Sequence, residues 1–272
     1  MTAAAHQKRQ VFRKLHEEGC FALPNPWDIG SAKMLEGLGF QALATTSSGH
    51  AWSLGQADGA VSRAVTLDHL RTMAAATELP INADFESGFG ADPEAVAASV
   101  RMAIDTGIAG LSIEDSTGNP DDPIRDLADA VARLKAARAA IDQAGGDTLL
   151  VGRAENFFQG RLDLEDTITR LKAYAEAGAD CLYAPGIKTR EQILAVVAAV
   201  APKPVNLLIG SISEFNMQAV AAMGVRRVSV GGALARAAWA GFLQSARALS
   251  EGRFDGFAQA ASGAELNGFF RR

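Results

Sequence analysis

Short apolar segments recur along the chain, and amphipathic stretches rich in alanine and leucine separate them. Apolar runs of this length with β-branched residues, bounded by glycine or proline, are typical of buried strands. Eight segments fit this pattern, at residues 20–27, 41–49, 80–88, 110–116, 149–156, 181–186, 204–210 and 226–232. Because a helical stretch follows each segment, the pattern predicts parallel strands joined by helices.

Several of the predicted helices have recognisable ends. Asp92 before Pro93 predicts an N-cap with proline in the first turn, and Thr189 with Gln192 predicts a capping box. Four helical runs end in a glycine just before the next strand, at Gly39, Gly107, Gly178 and Gly224. We expect these glycines to adopt the left-handed conformation that ends many helices.

Eight strand–helix units without a linker-like break predict an α/β fold of the (β/α)₈ TIM-barrel type, in one domain over residues 1–272. Residues from about 234 to 272 follow the last strand and are expected to form a C-terminal helical extension. The alternative is a doubly wound open sheet. The chain has no GxGxxG sequence after its first strand to support that alternative.

Composition narrows the range of partners and locations. The chain has 272 residues, 48% of them hydrophobic, a formal net charge of −5 and no basic run, which argues against nucleic acid or an anionic membrane as the main partner. The N-terminal segment lacks the apolar core of a signal peptide, and no apolar run is long enough to cross a bilayer. Cys20 and Cys181, without CxxC spacing, are expected to be core thiols in a cytoplasmic protein.

Polar residues cluster where the predicted strands end. In a (β/α)₈ barrel these ends meet at one mouth, where active residues lie. The residues concerned are Thr46, Ser47, Ser48, Gly49, His50, Asp84, Glu86, Glu114, Asp115, Arg153, Glu155, Asn206, Gly231 and Gly232. Several carboxylates converging on one mouth repel each other, so we expect a function that balances them.

Asp84 and Glu86 lie two residues apart, and side chains with that spacing on a strand share a face. Carboxylates without histidine or cysteine nearby favour a hard divalent cation, so we expect Mg²⁺, with Mn²⁺ as the substitute. Arg153 is expected to bind an anionic substrate through its planar guanidinium. The alternative for Arg153 is a structural ion pair with Glu155 or Glu114.

Taken in order and spacing, several motifs resemble those of the isocitrate lyase/phosphoenolpyruvate mutase superfamily. They are NPWDIGSAKMLEGLGFQAL (25–43), SSGHAWSLGQADG (47–59), DFESGFG (84–90), IED (113–115), RAE (153–155), AYAEAGAD (173–180) and Asn206. The resemblance covers most of the chain.

The resemblance implies a set of roles for the residues at the mouth. Asp84 would bind Mg²⁺, with Glu86, Glu114 and Asp58 completing a water-bridged shell. Arg153 and the backbone near Ser47, Ser48 and Gly49 would hold a 2-oxo carboxylate, with Asn206 as a further substrate-binding residue. The metal would stabilise the enolate that forms when the neighbouring bond breaks, and Asp58, Glu114 and Arg153 would be the catalytic residues.

Three departures separate this chain from the lyases it resembles. In the lyases, a KKCGH loop supplies the cysteine that acts as the general acid. Residues 116–123 replace this loop here, so the sequence argues against a conventional isocitrate lyase. Pro185 stands where the lyases have glutamate and the mutase has histidine. Glu86 replaces the usual aspartate, and its extra methylene suits a water-mediated metal contact.

We therefore expect a Mg²⁺-dependent lyase that cleaves a C–C bond in a small 2-oxo or 2-hydroxy di- or tricarboxylate, of the methylisocitrate lyase or oxaloacetate decarboxylase kind. The alternatives are P–C bond chemistry, with Thr117 or Asn119 in a substituted role, and a barrel that binds an oxo acid without turnover. Lys188 offers a Schiff-base nucleophile, although it lies past the end of its strand.

Some residues permit two interpretations. Gly231–Gly232 fits either an anion site or a tight turn, and His50 either a substrate contact or an exposed loop position. His6, His16 and His69 are expected on helix surfaces. The apolar C-terminal segment 256–270 suggests docking on a neighbouring subunit, and the resemblance implies a swapped C-terminal helix and a tetramer built as a dimer of dimers.

Overall fold

The computed structural model describes residues 3–271, and these contain eight parallel strands arranged as a nearly closed barrel. The strands are β1 Phe21–Leu23, β2 Leu43–Ala44, β3 Ile81–Asp84, β4 Gly110–Glu114, β5 Leu149–Arg153, β6 Cys181–Tyr183, β7 Val205–Leu208 and β8 Arg227–Ser229. From β2 to β8 each strand pairs with the next along the chain, and β8 pairs with β1. Between β1 and β2, the Ala44 amide donates to the Pro24 carbonyl at 3.0 Å. The (β/α)₈ prediction is confirmed, and the doubly wound alternative is wrong.

Helices alternate with the strands, as the sequence pattern predicts. They are α1 Ala3–Leu15, α2 Ile29–Gly37, α3 Ser47–Ser53, α4 Arg63–Ala76, α5 Pro93–Asp105, α6 Leu127–Gln143, α7 Leu164–Glu176, α8 Arg190–Val200, α9 Met217–Ala222, α10 Ala233–Ser250 and α11 Gly263–Phe270. The predicted ends are confirmed: Asp92 caps α5, Thr189 and Gln192 form a capping box on α8, and Gly39 has a φ of +85°. Gly107, Gly178 and Gly224 also have positive φ.

The N-terminal end of the barrel is covered by α1. Arg9 donates to the carbonyl of Ile108 at 2.9 Å, and Arg13 donates to the carbonyl of Asp147 at 2.8 Å, just before β4 and β5 begin. Phe12 is fully buried among apolar side chains that point into the barrel. Because α1 closes this end, the opposite end, where the strands finish, is the open mouth.

After β8 the chain leaves the barrel. Helix α10 exposes Trp239, Phe242 and Leu243, while Phe269 of α11 packs against Gly37 of α2. None of the helices within residues 3–271 is both long and apolar enough to cross a membrane.

Candidate active site

A cavity of about 1060 Å³ opens at the carboxyl ends of the strands. Its lining includes Asn25, Ser47, Ser48, Asp58, Asp84, Arg153, Tyr183 and Asn206. Most of the predicted substrate-binding residues therefore meet in one pocket.

Arg153 lies at the centre of the acidic side chains. Its Nη1 is 3.2 Å from Asp84 Oδ1 and 3.1 Å from Glu114 Oε2, and its Nε is 2.5 Å from Glu155 Oε1. Residues Glu114 and Arg153 are register partners on β4 and β5, which explains how the strand ends bring them together. The ion pairs with Glu155 and Glu114 that the sequence left as an alternative are present in the structure.

One guanidinium faces three carboxylates, so the cluster carries more negative than positive charge. Burial raises the pKa of Glu114 well above its usual value; Glu155 and Asp84 raise it further, against the effect of Arg153. Burial also raises the pKa of Glu155. Arg153 thus neutralises only part of the charge at the mouth.

Asp84 is held in place by backbone and side-chain hydrogen bonds from β2 and α3. The Ser47 amide donates to Asp84 Oδ2 at 3.0 Å, and the Asp84 amide donates to Thr45 Oγ1 at 2.9 Å. Next to them, Thr46 caps α3 by accepting from the Gly49 amide at 3.3 Å. Ser47 and Ser48 therefore form the wall of the pocket beside Asp84, whereas Gly49 is buried behind them and does not line the pocket.

Glu86 follows β3 in an unusual backbone conformation. Its φ is +47° and that of Phe89 is +52°, a region that residues other than glycine rarely adopt. The turn is held because the Glu114 amide donates to the Glu86 carbonyl at 3.0 Å. Burial, then Asp84 and Asp58, raise the pKa of Glu86 to about 7. Such strain is often found where a side chain must be aimed at a site.

Asp58 enters the pocket from the loop after α3. Its pKa is raised, first by burial and then by the charge of Asp84. The pKa values of Asp58, Glu86 and Glu114 are thus all raised, because each is buried near other carboxylates. A bound cation would relieve the same repulsion.

The donor set fits a hard cation held through few direct ligands. Within residues 3–271, no three His, Cys, Asp or Glu side chains group closely enough to enclose a metal by themselves. Mg²⁺ commonly takes one or two carboxylates and keeps several waters, and carboxylate oxygens are the ligands it prefers. Asp84, with Glu86 and Glu114 nearby, satisfies that requirement.

Tyr183 of β6 is a pocket residue that the sequence did not indicate. The Arg153 guanidinium lies 5.1 Å from the centre of its ring, and burial raises the pKa of its hydroxyl to about 12. Tyr183 lies two residues before Pro185, the position where the resemblance pointed to an acid. That spacing on a strand was the available signal, because it places both side chains on the same face.

Two other predicted regions, around Asp115 and Gly231, are held by hydrogen bonds within the protein. Asp115 is buried behind the mouth, where it accepts hydrogen bonds from the Glu155 amide, Tyr174 and Arg170 at 2.8, 2.6 and 3.1 Å. The Gly231 amide donates to Asn25 Oδ1 at 2.9 Å, which supports the tight-turn interpretation of this glycine pair.

Of the three histidines predicted on helix surfaces, His6 is exposed on α1 as expected, whereas His16 and His69 are not exposed. His50 stacks on His69 with ring centres 3.7 Å apart, and both border a small cavity next to Glu86. His16 is buried at the closed end of the barrel, where burial lowers its pKa to about 3. The prediction of surface positions for His16 and His69 is wrong, because α1 and α4 turn these residues inward.

Asn206 of β7 lies lower in the pocket. Its Nδ2 donates to Ser229 Oγ at 2.9 Å, and its Oδ1 accepts from Arg227 Nε at 2.9 Å. Lys188 is exposed at the rim of the same pocket. The side chain of Asn206 is therefore fixed by β8 before any ligand binds.

Comparison with known proteins identifies relatives across the whole barrel. A family model described as phosphoenolpyruvate phosphomutase matches residues 12–250. An oxaloacetate decarboxylase of Bradyrhizobium sp. (strain BTAi1) is 30% identical over 231 residues, covering 82% of this chain and 77% of that protein.

Two solved structures show the same fold. One, from Burkholderia cenocepacia J2315 and provisionally described as a lyase or mutase, shares 45% identity with a TM-score of 0.95, covering 99% of this chain and 98% of that one. The other, oxaloacetate acetylhydrolase in complex with its product oxalate, shares 27% identity with a TM-score of 0.86, covering 97% and 94%. The chain belongs to the phosphoenolpyruvate phosphomutase family, within the isocitrate lyase/phosphoenolpyruvate mutase superfamily.

Proposed function

We propose that this protein is a lyase that cleaves a C–C bond in a small 2-oxo or 2-hydroxy di- or tricarboxylate, leaving an enolate. The observation that carries the proposal is Arg153 surrounded by Asp84, Glu114 and Glu155 at the mouth of the barrel. Two relatives in this family, an oxaloacetate decarboxylase and an oxaloacetate acetylhydrolase, support it because their names refer to a 2-oxo dicarboxylate.

Arg153 binds the substrate's 2-oxo carboxylate in this proposal. Its Nη1 is shared between Asp84 and Glu114, so an incoming carboxylate competes with these residues for the guanidinium. Ser47 and Ser48 form the adjacent wall with Gly49 behind them, and Asn206 contacts the substrate from β7. The Tyr183 ring packs against the guanidinium, whose carbon lies 5.1 Å from the ring centre.

The acidic side chains have two tasks. Asp84, with Glu86 and Glu114, would hold Mg²⁺ or Mn²⁺, which when bound supplies positive charge to stabilise an enolate. Asp58 and Glu114 exchange protons with the substrate, because their raised pKa values bring protonated and ionised forms closer to neutral pH. Arg153 keeps the developing negative charge near a fixed cation.

The family name raises P–C bond chemistry as the second candidate. Thr117 and Asn119 were the loop residues considered for that role. In the structure the Asn119 amide donates to Thr117 Oγ1 at 3.0 Å, and neither side chain lines the mouth pocket. This arrangement favours C–C cleavage. A barrel that binds an oxo acid without turnover is the remaining alternative.

We also propose that residues 1–272 form one barrel domain with its extension from about 234, acting in the cytoplasm as a homo-oligomer, a dimer of dimers. The exposed aromatic side chains of α10 support the assembly: Trp239 and Phe242 meet edge to face with ring centres 5.6 Å apart. The free thiols Cys20 and Cys181 support a reducing compartment. A second copy covering α10 would bury these side chains.

A substrate panel with Mg²⁺ tests the reaction. Oxaloacetate and methylisocitrate-type acids should release pyruvate or glyoxylate, while phosphonopyruvate should remain unchanged by phosphorus NMR. Conversion of phosphonopyruvate to phosphoenolpyruvate or phosphate would replace C–C with P–C chemistry. Oxalate binding without turnover of any substrate would indicate a non-catalytic binder.

The metal assignment has its own test by calorimetry. Asp84→Ala should abolish Mg²⁺-dependent binding of oxalate while the protein stays folded. Asp68→Ala is the matched control, because Asp68 is exposed on α4 and pairs only with Arg71 one turn away. Unchanged oxalate binding by Asp84→Ala would remove Asp84 from the metal site.

A further inference from the structure

The inner wall of the barrel carries a second cation below Arg153. Arg227, the first residue of β8, is 2% exposed and lines the floor of the mouth pocket. It neighbours Asn206 in the register between β7 and β8. The pocket thus extends from the acidic cluster down to a buried guanidinium.

The hydrogen-bond acceptors around Arg227 are all neutral. Its Nε donates to Asn206 Oδ1 at 2.9 Å, and its Nη1 lies 3.3 Å from His16 Nε2 and 3.4 Å from Asn82 Oδ1. His16 Nδ1 lies 2.7 Å from the Phe12 carbonyl, so it carries the ring proton and leaves Nε2 as an acceptor for Arg227. The site therefore holds Arg227 without neutralising it.

Among the described residues, other buried arginines form ion pairs with aspartate that Arg227 lacks. Arg9, Arg133 and Arg170 each pair with an aspartate, at 3.1, 2.9 and 2.8 Å. Within the described part of the chain, Arg227 forms no such ion pair, and burial lowers the pKa of its guanidinium. The Cys181 thiol and the Tyr183 hydroxyl would oppose this effect only if they lost their protons. Both are neutral, because burial raises the pKa of each. A buried charge normally has a partner, so the arrangement points to one that the chain does not supply.

The Ser229 hydroxyl connects Asn206 with Tyr183, and this contact leaves the Tyr183 hydroxyl as a second donor beside Arg227. Asn206 Nδ2 donates to Ser229 Oγ at 2.9 Å, and the Ser229 side chain in turn hydrogen-bonds to Tyr183. If Ser229 donates to the Tyr183 oxygen, the phenolic proton is left to point into the cavity that Tyr183 and Arg227 both line.

We propose that Arg227, with the Tyr183 hydroxyl, binds a compact anion of single charge at the floor of the pocket. Two sources have this chemistry: the second carboxylate of the substrate, and a free halide. The first source rests on the proposed function, since it assumes a di- or tricarboxylate substrate; the second does not. In either case Arg227 sets a preference for charge at a place that Arg153 cannot reach, because Asp84, Glu114 and Glu155 hold Arg153 at the mouth.

The carboxylate source is tested by binding, so the result does not depend on turnover. Calorimetry in Mg²⁺ compares malonate, succinate and glutarate with propionate, butyrate and valerate, their monocarboxylate partners of equal length. At the length that spans both sites, the second carboxylate should strengthen binding to the wild type about ten- to a hundredfold. Arg227→Gln should lose this preference, and Arg227→Lys should keep part of it.

The halide source is tested with sodium bromide against sodium methanesulfonate at equal ionic strength. Bromide should raise the melting temperature of the wild type but not that of Arg227→Gln, and a bromide-soaked crystal should show an anomalous peak at Arg227. Arg226→Gln is the matched control, because Arg226 is the adjacent residue and donates to the Gly19 carbonyl on the outside. It should behave as the wild type in both experiments.

A dicarboxylate preference that depends on Arg227 identifies the substrate as the source, and bromide binding without that preference identifies a free anion. The proposal is overturned if the wild type shows neither a preference for the second carboxylate nor a bromide peak at Arg227. Because that outcome needs only the wild type, it holds even if Arg227→Gln fails to fold. Failure of the substrate panel, by contrast, would overturn the proposed reaction and leave the bromide result standing.

Discussion

At the scale of single residues, the guanidinium of Arg153 makes two kinds of contact. It pairs with Glu155 through Nε at 2.5 Å and meets Asp84 and Glu114 through Nη1. The Nε pair fixes the side chain, while Nη1 faces the pocket that the substrate would enter. The sequence presented a structural ion pair and a substrate clamp as alternatives, but different nitrogens of one side chain can serve both.

Arg153→Lys should therefore reduce both stability and ligand affinity. Lysine keeps the charge but loses the planar fork, so oxalate affinity should fall by about 1.5–3 kcal/mol, the range for a charged hydrogen bond. The melting temperature should fall as well, because the bond to Glu155 is lost. Arg170→Lys is the control: Arg170 pairs with Asp115 and Asp166 behind the site, so its loss should lower stability alone. Oxalate binding by Arg153→Lys as tight as the wild type would remove Arg153 from the substrate site.

Glu86 should make stability depend on pH in the metal-free protein. Its pKa is about 7 in the folded chain against an ordinary 4.5, so the folded state holds a proton that the unfolded state has released. Stability should therefore fall as pH rises from about 4.5 to 7, by at most about 3 kcal/mol, and less because Glu86 is partly solvated. Glu86→Gln should flatten this slope in melting curves recorded with EDTA. An equal slope in both proteins would show that another group titrates.

At the scale of elements, the turn after β3 shows why the DFESGFG segment needs its glycines. A Cβ on Gly90 would lie 2.4 Å from the backbone nitrogen of Val96, at the start of α5, and one on Gly88 would lie 2.8 Å from the Val96 side chain. Gly88 also has a φ of +89°. The close approach of the turn to α5 is what allows Glu86 to sit beside Asp84.

Gly90→Ala should destabilise the protein by about 1–3 kcal/mol, the usual cost of overpacking, and weaken Mg²⁺-dependent oxalate binding. Gly241→Ala is the control, because a Cβ at Gly241 on α10 meets nothing within 4 Å. Alanine there should be neutral or stabilising, since it favours a helix over glycine. Chemical denaturation of both variants gives the comparison. A Gly90→Ala protein as stable as the wild type would mean that the turn can move away from α5.

Much of the fold was predictable, because strand and helix signals are local. The periodicity located all eight strands, and Asp92 and Thr189 marked their helices correctly. The mouth residues could be grouped from the sequence only because a barrel brings strand ends together. The interior was not predictable: α1 looks like a surface helix until its partners before β4 and β5 are known, so His16 was misplaced. Arg227 gave no signal, since nothing local distinguishes a polar residue inside a barrel from one outside, and Tyr183 gave only its two-residue spacing from Pro185.

At the scale of the whole molecule, α10 leaves an apolar face that the described residues, 3–271, do not cover. Trp239 is 38% and Phe242 60% exposed, and Leu243 lies beside them. Helical faces with clustered aromatic residues are typical of subunit interfaces. The proposed dimer of dimers provides a surface for this face.

The double variant Trp239→Glu and Phe242→Glu should dissociate the assembly, because it places two charges in the proposed interface. Light scattering after size exclusion would show a shift to a smaller species. Leu194→Glu is the control, since Leu194 is a comparably exposed apolar residue on α8 that lies outside the proposed interface. An unchanged mass for the double variant would place the interface elsewhere, and a monomeric wild type would refute the assembly.

The helix that closes the barrel is synthesised before the strands it covers, and its partners lie far along the chain. Arg9 reaches Asp147, 138 residues later, and Arg13 reaches Asp180, 167 residues later. During synthesis on the ribosome, α1 emerges long before Asp147 and Asp180 are made, so its apolar side chains have no partners at that stage. Contacts at such sequence separation slow folding, since a long loop must close before they form. A nascent chain that stops before β5 would therefore leave Phe12 and its neighbours without a core, as a target for chaperones.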